Sequence, residues 1–346
     1  MSTLKNQFAI HRALALLVAV ASLAVSGADV SYFGVIKSIQ CLQTNESYAP
    51  TALASNGYSF TAFAVAATNG VLTNATVKPG SSAVRALAPT TNDTFWIYPQ
   101  SFDTQSALDA AYPPGTAFSQ VNYAVTLSAT NDGLHTVSLY FFFSILSFSY
   151  PLNYPAAPRL TDLGLAQAID TTADFTLDWN GLGGSSLTIV QLTVMDASSN
   201  VLFMTPAPLQ TGALNGSATS ARIPAYTLPP GGELIGHLTV ANPGLPNTSS
   251  YPGATGVAAL ATDTQFPLTT RPAPAPPGLE VLPPQAGQFQ LQLTGETNRI
   301  YQILASTNLL GWTNLFTTNC PSGRFQFTDT NSPSHSARLY RAKVGQ

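Results

Sequence analysis

At 346 residues with a formal net charge of −3 and only 8% charged side chains, the chain lacks the basic surface that nucleic acid or an anionic membrane would require. Its 45% hydrophobic and 10% aromatic content excludes disorder, which combines high charge with little to bury. With Cys41 and Cys320 as its two cysteines, at opposite ends, it has no disulfide framework, and two buried or idle thiols are expected.

Lys5 and Arg12 form a basic leader, Ala13 to Val25 an uncharged apolar run, and Ser26-Gly27-Ala28 a small-x-small cleavage signal. Residues 1–28 therefore read as a secretory signal peptide, with the mature chain starting at Asp29. The apolar run is shorter than the ~20 residues that span a bilayer. The tail 339–346 offers neither a span nor a sorting segment. The expected location is secreted or cell-surface associated, outside the cytoplasm, with no integral membrane insertion after cleavage.

Residues 29–150 predict an N-terminal β-sandwich domain. Tyr58, Phe60 and Ala62 alternate with Ser59 and Thr61, and Val121, Tyr123, Val125 and Leu127 alternate with Asn122, Ala124 and Thr126. That is the two-residue period of half-buried strands, with Thr, Ser and Asn facing solvent. Residues 130–133 (TNDG) predict a hairpin turn into a strand from Leu134 to Phe143. One helical turn is expected over 106–112, with Ser106 as N-cap and Asp109 three residues later, stopped by Pro113-Pro114. The apolar run Tyr140 to Tyr150 is too short for a membrane hairpin and reads as one strand buried on both faces.

A proline-rich joint at 151–158 leads into a second expected sandwich, residues 155–268. There Phe175, Leu177 and Trp179 alternate with Asp174, Thr176 and Asp178, followed by a strand through Val190, Leu192 and Val194. Turns at 197–200 (ASSN) and 229–232 (PPGG) precede strands at Val201 to Met204 and Leu234 to Val240. Residues 269–284 predict a Pro-rich linker, in which Pro272 to Pro277 would span roughly 20 Å at about 3.1 Å per residue. Residues 285–346 predict a small C-terminal β-sandwich whose core would come mainly from Trp312, Phe316, Phe325, Phe327 and Tyr340. The class is all-β, tandem β-sandwich modules joined by Pro-rich linkers.

Residues 301–309 (YQILASTNL), Trp312, 325–329 (FQFTD) and 339–342 (LYRA) resemble the C-terminal β module of large secreted proteins from Verrucomicrobia-type bacteria. Residues 168–179 (AIDTTADFTLDW), 213–220 (ALNGSATS) and 223–228 (IPAYTL) resemble an immunoglobulin-like or fibronectin-like module of such proteins. The resemblance implies a bacterial, secreted, multidomain protein and carries over no catalytic or ligand residue. Neither cysteine lies near Trp179, so the antibody-type Cys, Trp, Cys pattern is absent and such a core would be held by packing alone.

Motifs for catalysis are missing. Asp174 and Asp178 would lie ~13 Å apart along a strand, too far for a glycosidase pair, and read as a solvated face. His135, His237 and His335 are spread one per module without metal-ligand spacing, and His237 alternates with Ile235 and Thr239 at an expected surface. No Gly-x-Ser-x-Gly, phosphate loop or calcium loop occurs. No catalytic, cofactor-binding or metal residue is expected, and no cofactor.

The expected function is a non-catalytic exported protein of adhesive, glycan-binding or structural type, with a polysaccharide or cell-surface component as partner and no nucleic acid. Trp96, Tyr98 and Tyr251 are candidate ligand-contacting aromatics, since aromatic faces suit sugar rings. The alternative is an accessory or catalytic subunit of extracellular polysaccharide breakdown, with a site assembled from distant residues.

Overall fold

The computed structural model describes residues 27–345 apart from 91–92, 117–118, 146–147, 208–209 and 274, and only the backbone over 143–151. The expected signal segment lies outside the described residues up to Ser26. Among the described residues the chain is 52% strand and 4% helix, an all-β fold. It divides into two compact units, Met1–Arg271 and Pro272–Gln346.

In the first unit, β1 (Val30–Leu42), β2 (Thr51–Ala52), β3 (Tyr58–Ala66), β4 (Leu72–Pro79), β5 (Arg85–Ala86), β6 (Ala88–Pro89) and β7 (Phe95–Phe102) lead to helix α1 (Gln105–Ala111). The helix starts earlier than expected: its N-cap is Thr104, whose Oγ1 accepts from Ala107 N–H at 3.2 Å. Asp109 is thereby released from capping and pairs with Lys37. β8 (Tyr123–Ala129) and β9 (Gly133–Leu139) form the Asp-Gly hairpin, with Gly133 at φ +81° as such a turn requires. The apolar run beyond it is not one strand. It folds as two antiparallel paired strands, β10 (Phe142–Ile145) and β11 (Phe148–Pro151), with Ser144 opposite Ser149, a division that periodicity does not mark.

The remaining strands of this unit are β12 (Phe175–Asp178), β13 (Ile189–Asp196), β14 (Val201–Met204), β15 (Leu214–Asn215), β16 (Ser220–Ile223), β17 (Glu233–Pro243) and β18 (Thr255–Thr269). The joint expected at 151–158 does not divide the chain. A ten-stranded sheet runs in the order β14-β13-β17-β18-β1-β3-β7-β6, with β15 on β13 and β2 on β1 off this path, because β18 pairs in parallel with β1 from Tyr32↔Thr255 to Leu42↔Gln265. Gly34 permits the approach, since a Cβ there would meet Val257 O at 2.3 Å.

Two cores lie against this sheet. Phe33, Val35, Phe60 and Ala62 pack on Val77, Tyr123, Val125 and Leu139 of the four-stranded sheet β5-β4-β8-β9. Val190, Leu192, Leu238 and Phe266 pack on Leu177 and Trp179, and on Ala221 and Ile223 of the β12–β16 pair. Each large apolar side chain so buried contributes roughly 1.5–3 kcal/mol. The alternate residues of the same strands, among them Tyr32, Ile36, Phe63, Ile97 and Val257, form a third buried cluster. This overturns the half-buried reading of β3: Ser59 and Thr61 are buried, and Ser59 Oγ meets Ser38 Oγ at 2.7 Å.

In the second unit, β19 (Gly278–Gln285), β20 (Gln288–Thr294) and β23 (Arg324–Asp329) form one sheet, and β21 (Arg299–Ser306), β22 (Thr313–Cys320) and β24 (Leu339–Val344) the other. The expected linker is shortened, since Pro283 and Pro284 belong to β19, where the register against β20 shifts and no amide is demanded of them. The core is Leu291, Leu293, Tyr301, Ile303 and Cys320, with Phe325, Phe327 and Tyr340 packed against it. Trp312 and Phe316 lie at its margin: Arg341 stacks on the half-buried Trp312 ring at 4.2 Å, and Phe316, 36% exposed, stacks on Phe325 with ring centres 5.1 Å apart.

Candidate functional site

Between β17 and β18 the loop 245–249 (LPNTS) builds one wall of an open pocket. Asn247 fixes it: Asn247 N–H donates to Gly256 O at 2.8 Å and Gly256 N–H donates back at 2.9 Å. Its Oδ1 accepts from the amides of Ser249 and Ser250 at 3.3 and 3.0 Å, the Asx-turn pattern. The opposing wall comes from the end of β9, with Ser138 and Leu139, then Tyr140, and from Gln120 ahead of β8. Together they enclose about 390 Å³.

Tyr140 is 37% exposed and Gln120 is exposed, so both present free surface on a frame set by strands. The polar lining is hydroxyl and amide: Gln120, Ser138, Asn247, Thr248 and Ser249. No carboxylate, imidazole, amine, guanidinium or thiol lines it among the described residues. Such a lining can exchange hydrogen bonds with an uncharged polar ligand and lay a ring against Tyr140, and it holds no group tuned for proton transfer near neutral pH.

The structure does not bring the three predicted aromatics together there. Trp96 and Tyr98 share one face of β7, half-buried against the first core, and neither lines the pocket. Trp96 Nε1–H donates to Asp93 O at 3.1 Å, and Tyr98 and Tyr112 both donate to Gln100 Oε1, at 2.9 and 2.6 Å. Tyr251 corrects the reading of an exposed platform. It is 1% exposed, its hydroxyl donates to Asp132 Oδ2 at 2.8 Å, and its ring stacks on His135 at 3.9 Å. The loop that carries Ser249 is thus anchored by Tyr251 from below.

His237 is likewise buried, not at the surface, on a strand that β13 and β18 flank on either side. Its Nδ1 lies 3.0 Å from Asp263 Oδ2, and Thr239 donates to Asp263 Oδ1 at 2.9 Å. Cys41 is buried and its thiol is pushed up to about 11 by desolvation, then by the Asp263 charge, so it is a packed thiol and not an activated nucleophile. Asp174 and Asp178 are exposed; Asp174 pairs with Arg222, and Ala225 N–H donates to it at 2.9 Å. Among the described residues no cluster of His, Cys, Asp and Glu fit to hold a metal occurs. No helix among them is long and apolar enough to cross a membrane.

The pocket residues escaped sequence reasoning. The available signal was the Pro-Gly-Leu-Pro-Asn loop, which marks a rigid loop end between strands but says nothing about what faces it.

No protein-family model matches this chain, and no curated protein matches it. Among solved structures it is similar to the chicken CNTN1 FN1–FN3 domains, at 8% identity over 83% of this chain and 88% of that one, with a TM-score of 0.23. It is also similar to an ICAM-5 D1–D4 ectodomain fragment, at 14% identity over 88% and 72%, with a TM-score of 0.25. A tetra-tandem repeat from the extending region of a large adhesion protein is similar at 10% identity over 90% and 74%, with a TM-score of 0.18. Scores of this size carry no argument about function, so the reading below rests on the pocket.

Proposed function

We propose that this chain is an exported, non-catalytic adhesion protein that binds an uncharged polysaccharide through the pocket between the 245–249 loop and the end of β9. The observation that carries the reading is the lining: hydroxyl and amide groups beside the exposed ring of Tyr140, with no charged side chain. Sugar hydroxyls are matched by neutral donors and acceptors, and the apolar face of a sugar ring by an aromatic one. The apolar leader at Ala13 to Val25 and the small-x-small signal at Ser26 to Ala28 support export.

A glycan array and a hydrolase screen on the same purified mature protein test this. Retention of a neutral glycan without turnover is expected. Turnover of any polymer, lost on replacing one carboxylate, would refute it.

A further inference from the structure

Asp29, the residue expected to begin the mature chain, is 6% exposed and held on every polar atom. Its carbonyl accepts from Ala67 N–H at 2.8 Å. Its Oδ2 accepts from the amides of Asn131 and Asp132 at 2.6 and 3.2 Å, and its Oδ1 from Asn131 Nδ2 at 2.8 Å. Its own amide N–H donates to Asp132 Oδ2 at 2.7 Å. That oxygen also accepts from Tyr251 Oη, whose ring lies against His135. The titratable groups facing the Asp29 nitrogen are therefore the carboxyls of Asp29 and Asp132, the Tyr251 phenol and, behind it, His135.

Two carboxylates thus share one small site at the β8–β9 turn. Neither is paired with an Arg or Lys among the described residues. Hydrogen bonds from Asn131 hold the Asp29 carboxyl below its usual range, so it is charged at neutral pH. The site has a vector for a cation and no side chain that supplies one.

We propose that cleavage of the Ala28–Asp29 bond supplies it: the freed α-ammonium of Asp29 takes the place of the amide N–H and forms an ion pair with Asp132, locking the mature N-terminus into the fold. This rests on the reading that the chain is exported and processed. A signal-peptidase-class protease would break the C–N bond with one water, its hydroxyl going to the Ala28 carboxyl and its hydrogen to the Asp29 nitrogen. The amine then takes a proton from solvent, since a free α-amino group titrates at about 8. An amide with one hydrogen becomes an ammonium with three, beside Asp132 and its own carboxylate. The position is specific. A chain starting at Ala28 carries its ammonium one residue away, about 3.8 Å along the backbone, and keeps an amide at Asp29. One starting at Val30 lacks the residue that makes every contact above.

The pair raises the folded-state pKa of the ammonium above its unfolded value. Its stabilisation is therefore complete below about pH 8 and is lost as pH rises through the folded pKa.

Mature chains with defined starts, released from a cleavable fusion, test the lock without relying on export. The chain from Asp29 is expected to unfold with an equilibrium constant about tenfold smaller than the chain from Ala28 at pH 7. The difference should vanish in Asp132→Asn and above pH 10. Should Asp132→Asn fail to fold, the acetylation rate of the terminal amine decides: it should be at least about tenfold slower for the Asp29 start than for the Ala28 start. Equal stabilities with equal rates, or an advantage that survives Asp132→Asn, overturn the lock. The intact mass of protein recovered outside the cell reads the processing separately. A start at Asp29 supports it, a start elsewhere overturns the cleavage assignment, and retention of Met1 overturns the export reading itself.

Discussion

Lys37 in β1 and Asp109 in α1 form an ion pair in which the lysine side chain is fully buried and the carboxylate is 31% exposed. Lys37 Nζ also donates to Tyr112 O at 2.8 Å and lies 5.9 Å from the centre of the Phe141 ring. Burial pushes the lysine pKa down, and Asp109 opposes that shift. Losing one partner strands a charge in the first core. Asp109→Ala is expected to cost about 3 kcal/mol, whereas Lys37→Met with Asp109→Leu should recover most of it. Chemical denaturation of the two variants checks this, and equal losses would contradict it.

Gly34→Ala tests whether the two sandwiches of the first unit share one sheet. Its Cβ would strike Val257 O at 2.3 Å and the Phe63 ring at 2.9 Å, both unyielding, at the β1–β18 seam. A loss of about 3 kcal/mol is expected. It should register both at Trp96, on the first core, and at Trp179, in the second, as one transition when each tryptophan is followed alone. Unfolding of Trp96 with Trp179 unmoved would mean that the cores are independent.

Asp329 is 3% exposed and accepts from Arg338 at 2.6 Å and from the Tyr340 hydroxyl at 2.9 Å. Burial first, then the carboxylate, pushes the Tyr340 phenol up to about 12. An acid whose folded pKa is raised loses stability as pH climbs from its unfolded value, about 10, towards that figure. The second unit should therefore weaken over this window, and weaken less in Tyr340→Phe. A pH series of thermal unfolding reads the difference.

Both thiols are buried, and neither is in a disulfide. Cys41 and Cys320 should each resist alkylation at pH 8 in the native protein and react fully on unfolding. Rapid native labelling of Cys41 would contradict its placement.

Local signals carried much of the fold. The Asp-Gly turn and the 197–200 turn each mark a hairpin where the backbone reverses, because Gly reaches positive φ without strain and Asn and Asp side chains cap their own turns, and the Pro-Pro-Gly-Gly stretch ends where β17 begins. The alternation in β20 and β21 likewise locates the second unit's core. The β1–β18 seam had no such mark, since parallel pairing between distant segments needs no turn. Ser59, Thr61 and His237 sit at polar positions of alternating patterns, and only the covering of the sheet's second face buries them. Tyr251 shows the same limit: composition cannot tell an aromatic turned onto His135 from one turned to solvent. The pocket is assembled from Gln120, Ser138, Tyr140 and the 245–249 loop, which meet only through tertiary contacts.

The most direct test of the proposed binding site is isothermal titration of a neutral oligosaccharide, chosen from the array, into the mature protein and its Tyr140→Ala and Trp96→Ala variants. Removing the exposed ring should weaken binding roughly tenfold, in line with the ~1.5 kcal/mol of a lost aromatic contact, while Trp96→Ala leaves it unchanged. Undiminished affinity in folded Tyr140→Ala, or a loss confined to Trp96→Ala, would contradict the account.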